Sequence, residues 1–245
     1  MALPKIETPS YELDLPSQNK KVKYRPFTVK EEKILLIANE SKNNDEILNA
    51  TLDILNACTF NKLEVKNLPL FDIEYIFLQI RAKSVGEVAK INVVCPDDNE
   101  TYGKVEVDIS KVEVHVDDNH TNKILLDEKR KLGIVFAYPT LESTLKGQKL
   151  DKMEDNLDTS LEMIGNCVDH IYEGEKVYSG KDTTKEELKE FFESLPQEGF
   201  AKVKEFFDTM PHIECEVEVE NPKTKVKSKV TLRGIQDFFP FASPI

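Results

Sequence analysis

At 245 residues the chain can bury one sizeable core or two small ones. Charged residues make up 32% of it, the formal net charge is −12 and the sequence pI is about 5.0. That much negative charge argues against nucleic acid or an anionic membrane as partner, since both call for a basic footprint. No apolar run approaches the roughly 18 residues of a membrane span.

Residues 1–45 read as an extended arm, a hairpin and a capped helix. Pro4, Pro9 and Pro16 forbid helix and favour extended backbone. Tyr11, Leu13 and Leu15 alternate with Glu12 and Asp14, and Val22 and Tyr24 alternate with Lys21, Lys23 and Arg25, so two short strands flank Ser17-Gln18-Asn19. Thr28 stands three residues before Glu31, a capping-box spacing, and Ile34, Leu35 and Ala38 follow at helical intervals. Residues 1–37 carry seven Lys/Arg against five Asp/Glu, so the arm is net +2 and the rest of the chain net −14. Such an arm suits docking, with Tyr11, Tyr24, Arg25 and Phe27 as candidate partner-binding residues, and few core contacts are expected to depend on residues 1–27.

Residues 46–140 and 141–245 read as two units of one pattern. Leu52 to Cys58 aligns without gaps to Leu161 to Cys167, both as amphipathic helix with the cysteine at the inner end. Leu68-Pro69 is followed by Ile73, Ile76 and Ile80, and Leu195-Pro196 at matching offsets by Phe200, Val203 and Phe207. Each helix leads to an expected hairpin, Ile91 to Ile109 around Cys95-Pro96-Asp97-Asp98, and Val217 to Leu232 around Asn221-Pro222-Lys223-Thr224. The Phe200, Val203, Phe207 stripe is expected to pack beneath the second hairpin, because a two-stranded hairpin alone is marginal. Val112 to Tyr138 reads as further strand, and Thr183 with Glu186 as the cap of another helix before Leu188 and Phe192. Residues 141–156, polar and charged, form the candidate boundary. Duplication and chance similarity both account for the repeat. The expected class is α+β, an extended N-terminal arm plus two helix–helix–β-hairpin units. The aromatic C-terminus, Phe238, Phe239 and Phe241, either anchors a partner or packs back onto the second unit, and packing back is preferred.

Chemistry is sparse. There is no Gly-X-Ser-X-Gly and no phosphate-cradling glycine loop, and the chain holds only nine glycines. His115, Asp117, Asp118 and His120 could serve a metal-dependent hydrolase, but their spacing matches no zinc signature and reads better as an acidic turn. Cys95-Pro96-Asp97-Asp98 is half of a zinc knuckle with Asp98 in place of the second thiol. No basic segment precedes an apolar stretch at the N-terminus, so Cys58, Cys95, Cys167 and Cys215 are expected as thiols in a reducing cytoplasm. The expected sites are catalytic none, cofactor none and metal none.

Several stretches share wording with a known family. They are Ala2-Leu3-Pro4, Thr8 to Leu13, Lys23-Tyr24-Arg25-Pro26-Phe27, Asp72 to Leu78, Lys83 to Glu87, His120 to Ile124, Phe206 to Pro211 and Gly234 to Phe239. In these the chain resembles the baseplate hub assembly proteins of T-even-type contractile-tailed bacteriophages. The resemblance implies a non-enzymatic interaction protein that binds other hub proteins, either as a subunit of the particle or as a factor that acts in the host cytoplasm during assembly and leaves. It brings no catalytic residue, cofactor or small-molecule substrate. A generic cytosolic adaptor of the same architecture is the reading without it.

Overall fold

A computed structural model describes residues 6–18, 20–146 and 157–238. In chain order the elements are β1 (Tyr11–Leu15), β2 (Lys20–Tyr24), α1 (Val29–Ser41), α2 (Asn44–Cys58), α3 (Leu70–Val85), β3 (Val88–Val94), β4 (Tyr102–Asp108) and β5 (Glu113–His115). There follow β6 (Lys123–Asp127), β7 (Leu132–Phe136), α4 (Leu141–Lys146), α5 (Leu157–Asn166), β8 (Val168–Glu173), β9 (Lys176–Ser179), α6 (Lys185–Glu193) and α7 (Gln197–Asp208). The described chain closes with β10 (His212–Glu220), β11 (Lys227–Arg233) and α8 (Gly234–Phe238). The class is α+β, with the strands in small antiparallel sheets.

Compact units do not follow the boundaries read from the sequence. One is made of residues 1–115 together with 212–245, the other of residues 116–211. The second is an insertion into the first. Its two crossing points are neighbours, because β5 pairs antiparallel with β10 and sets His115 opposite His212. The divisions expected at residues 45 and 140 are therefore replaced. Much of the polar stretch 141–156 lies outside the described residues, and all of it lies inside the insertion.

In the first unit α3 is the central helix. Pro69 stands at its N-cap, as the fixed φ of proline allows. Phe71, Ile73, Ile76, Leu78, Ile80 and Ala82 are all buried, so it is apolar around most of its circumference, as a helix enclosed by other elements must be. Three buried polar side chains on it each fasten a different segment. Asp72 accepts from the Ser17 N–H and hydroxyl in the β1–β2 turn. Gln79 donates to the carbonyls of Ser110 and Val112 just before β5. Glu74 accepts from the Ile235 N–H of α8 at 3.2 Å. Since a buried polar group without a partner costs roughly 1–3 kcal/mol, these bonds fix register as well as position.

Two sheets complete that core. The β3–β4 hairpin alternates strictly, with Ala89, Ile91, Val93, Val105 and Val107 buried. The three-stranded sheet β11-β10-β5 supplies Ile213, Val219 and Leu232 to the same cluster, and Phe238 of α8 joins it. Where β4 meets β10 the backbones come close enough to require Gly103. A Cβ there would stand 2.2 Å from Val219 Cγ2 and 2.9 Å from the Glu220 carbonyl oxygen. The turns of the two hairpins are tied by Asn221, whose Nδ2 donates to Asp97 Oδ1 and Asp98 Oδ2, both at 3.0 Å. Cys95, expected as a lone thiol in a polar turn, is instead buried in this cluster.

Burial of Glu74 makes a testable difference. Desolvation pushes its carboxyl up from 4.5 to about 7, and the Ile235 N–H only partly offsets this. The native state thus holds a proton that the unfolded chain releases near pH 4.5. The stability contributed is fully present below that pH, declines as pH rises through about 7, and is roughly 3 kcal/mol smaller above it. Glu74→Gln keeps an acceptor oxygen and removes the titration. Urea unfolding between pH 5 and 8 is expected to show the variant gaining on the parent as pH rises. Parallel curves would show that Glu74 does not titrate in this range.

The second unit has its own core. A four-stranded antiparallel sheet in the order β6-β7-β8-β9 is covered by α5, α6 and α7, with Ile134, Phe136, Leu161, Ile164, Leu188, Val203 and Phe206 inside. The α6 cap is Thr184 with Glu187, one residue beyond the Thr183–Glu186 pair expected, and the Thr183 hydroxyl instead donates to the Ser179 carbonyl. Pro196 is the N-cap of α7, but that helix does not cover β10 and β11. Its buried stripe is Gly199, Val203 and Phe206, packed in the core of the second unit, while Phe200 and Phe207 lie half-buried at the margin. The hairpin β10–β11 packs on the first unit's core instead. The repeat read from sequence thus falls on elements in unlike settings, since α5 runs directly into β8 whereas α2 is followed by α3.

Candidate interaction surface

The expected docking arm is, from Tyr11 onward, part of the core. In β1 and β2 the register pairs Leu13 with Val22 and Tyr11 with Tyr24, which gathers Leu13, Leu15, Val22 and Tyr24 on one buried face. Tyr24 is therefore covered, and burial raises its phenol above the usual range. Tyr11 is half-buried, its ring 5.6 Å from that of Tyr24 and beneath the Lys83 ammonium at 5.4 Å. Arg25 clasps Glu31, Nη2 to Oε1 at 2.6 Å and Nη1 to Oε2 at 3.0 Å, and its backbone N–H donates to the Cys58 carbonyl. Phe27 is half-buried, with its N–H donating to Ser84 Oγ at 2.9 Å. Phe238 packs back, but into the core that β3, β4, β10 and β11 share in the first unit and not onto the inserted one, whereas Phe239 and Phe241 lie outside the described residues.

The same contacts orient α1, and α1 carries the surface that the sequence pattern concealed. Glu31, held below the usual carboxylate range first by Arg25, also accepts from the Thr28 N–H at 2.7 Å and so closes the capping box. This turns Glu31 and Ala38 inward, and α1 packs against α2. Ile34, which follows the cap at a helical interval with Leu35 and Ala38, points out. Spacings of seven and eight place Leu36 and Ile37 on one face with Val29, and these three are 60%, 54% and 81% exposed. Lys33 lies among them, four residues from Val29. Three large apolar side chains exposed together, on a helix whose other side is already packed, mark this outer face as a candidate contact surface. The signal was available in the unbroken run from Ile34 to Ala38.

Groups able to do chemistry are dispersed or engaged. His115 lies in the first unit, 3.7 Å from Glu214 and with its ring 5.6 Å from that of His212. His120 lies in the second, Nδ1 at 2.9 Å from Thr209 Oγ1, Nε2 at 2.9 Å from the Tyr138 hydroxyl, and its ring stacked on Phe206. Burial lowers its pKa and so favours the neutral imidazole. The acidic segment thus divides between two units at the Cα pairing of β5 with β10. Among the described residues no group of three or more His, Cys, Asp or Glu is placed to hold a metal ion. Burial pushes the Cys58 and Cys167 thiols up to about 11 and about 12, so neither offers a thiolate. Among the described residues no helix is long and apolar enough to cross a membrane.

Comparison with known proteins adds one finding. No curated protein and no solved structure matches the chain. A family model described as "T4 bacteriophage base plate protein" matches residues 8–240, which takes in both units, the inserted one included. The match spans most of the chain, and so the chain belongs to the T4 bacteriophage base plate protein family.

Proposed function

We propose that the protein is a non-enzymatic interaction protein of the central hub of the phage tail baseplate, and that it holds other hub proteins through the outer face of α1. Family membership supplies the baseplate. The wording of the N-terminal stretches, similar to that of hub assembly proteins, supplies the hub. The observation that carries the docking role is the exposed apolar row Val29, Leu36 and Ile37 on a helix already packed by its other side. Burying such a row against a partner releases up to roughly 1.5–3 kcal/mol for each large side chain fully covered, a contribution to be set against the cost of association.

The test is Leu36→Glu with Ile37→Glu in the complete protein. Both side chains face solvent, so the unfolding transition is expected to stay within about 1 kcal/mol of the parent. Recovery of hub proteins with the tagged variant from infected cells is expected to be lost. A variant that still recovers them removes α1 from the contact, and a parent that recovers none removes the hub assignment. Mass spectrometry of purified particles separates the two roles, because stoichiometric peptides make the protein a subunit and their absence makes it a factor that leaves.

A further inference from the structure

The second unit holds a cleft of ≈ 1040 Å³ between its sheet and the helices α6 and α7. Leu126, Leu132, Ile171, Leu188, Phe191 and Leu195 give it an apolar lining. Five carboxylates line it as well, on Asp127, Glu173, Asp182, Glu187 and Glu198, against one guanidinium, on Arg130. That guanidinium is already committed, its Nη2 donating to Glu173 Oε1 at 2.7 Å. Some of the acids are engaged locally: Glu187 accepts from Thr184 in the α6 cap, and Glu198 pairs with Lys202 at 3.2 Å. The cleft nevertheless presents strongly negative walls around a greasy floor.

One wall is a strand edge. Among the described residues the last strand in the order β6-β7-β8-β9 pairs on one side only. Its central residues, Val177 and Tyr178, line the cleft and are 64% and 46% exposed. Four residues of strand run about 13 Å, long enough to pair with a short extended segment whose alternate side chains point to one face. An edge of this kind next to an apolar pocket is a place where a foreign strand can add.

We propose that this cleft receives an extended segment of another tail protein in which lysine or arginine alternates with large aliphatic side chains, laid alongside β9. Main-chain hydrogen bonds to β9 would hold the segment, aliphatic side chains on one face would turn to the lining beside Leu188 and Phe191, and the negative walls would favour the basic ones. The sign of the walls excludes phosphate-bearing ligands. Another copy of this chain is a poor occupant, because two bodies of charge −12 repel. That the segment comes from a tail protein rests on the function proposed above, whereas the chemistry of the cleft does not.

The probe is a short acetylated peptide alternating lysine with leucine, with its glutamate counterpart as control, added to the full chain carrying labelled methyl groups. The basic peptide is expected to shift the methyl signals of Val177 and Leu188 and to leave those of Val29 and Leu36 unmoved. Asp182→Lys and Glu198→Lys are expected to weaken it roughly tenfold each, and added salt to weaken it further. Equal binding of the glutamate peptide, shifts confined to methyls outside the cleft, or no binding would overturn the proposal. So would the same shifts appearing with protein concentration alone, which would make the occupant a second copy. None of these outcomes depends on recovery of hub proteins, so the two proposals fail separately.

Discussion

Deletion of residues 1–27 is expected to abolish cooperative unfolding of the first unit while the second keeps its own transition. The deleted stretch contains Leu13, Leu15, Val22 and Tyr24, each less than a tenth exposed. Burying a side chain of this size is worth roughly 1.5–3 kcal/mol, so four of them approach the whole stability of an ordinary domain. Polar losses add to this. Asp72, fully buried on α3, would lose both of its Ser17 donors, and Glu31 would lose Arg25. Calorimetry of the truncated chain is the measurement, with near-ultraviolet circular dichroism reporting on the aromatic cluster of the second unit. Two transitions at their original temperatures would show the hairpin to be dispensable, as an independent docking arm should be.

Phe206→Ala is expected to cost roughly 3–5 kcal/mol in the second unit and to leave the first unaffected. Phe206 is 1% exposed and stands at the centre of a ring cluster. Its ring lies 4.7 Å from Phe136, 5.3 Å from His120 and 5.9 Å from Tyr138, all nearly parallel, with Phe207 edge-on at 4.9 Å. Truncation opens a cavity that rings fixed in the sheet cannot close, and it removes the stacking partner of His120. Phe207→Ala, at the margin, is expected to cost less than half as much. Urea unfolding of the two variants gives the comparison, and equal losses would contradict the assigned orientation of α7.

What the chain discloses locally and what it withholds can be traced to particular residues. Alternation from Tyr11 to Tyr24, the Thr28–Glu31 spacing and the two Leu-Pro helix starts are short-range, and the structure has each of them. The fault lay in assigning partners. Nothing near Val217 says that its hairpin completes a core begun more than a hundred residues earlier, and the three-residue strand Glu113–His115 that makes the link is too short to show a period. The pair β8–β9 also escaped notice, since a register shift between Val135 and Phe136 interrupts the alternation in the ladder it joins. For α1 the error was one of direction. The apolar run from Ile34 to Ala38 spreads around the helix and does not reveal which face its own fold covers, and the Arg25–Glu31 clasp decides it.

The nesting of one unit within the other sets an order of events at the ribosome. Once β5 has emerged, the ribosome must add the whole insertion before His212, which at about 5–20 residues per second takes roughly 5–20 s. The insertion has its buried core residues between Ile124 and Phe206, so its core is complete in the chain before His212 is added. The host's core is not, because Ile213, Val219, Leu232 and Phe238 are translated last. A chain stopped before His212 therefore carries an insert with all its core residues on a host without them, with Ile91, Val93, Val105 and Val107 still open to water.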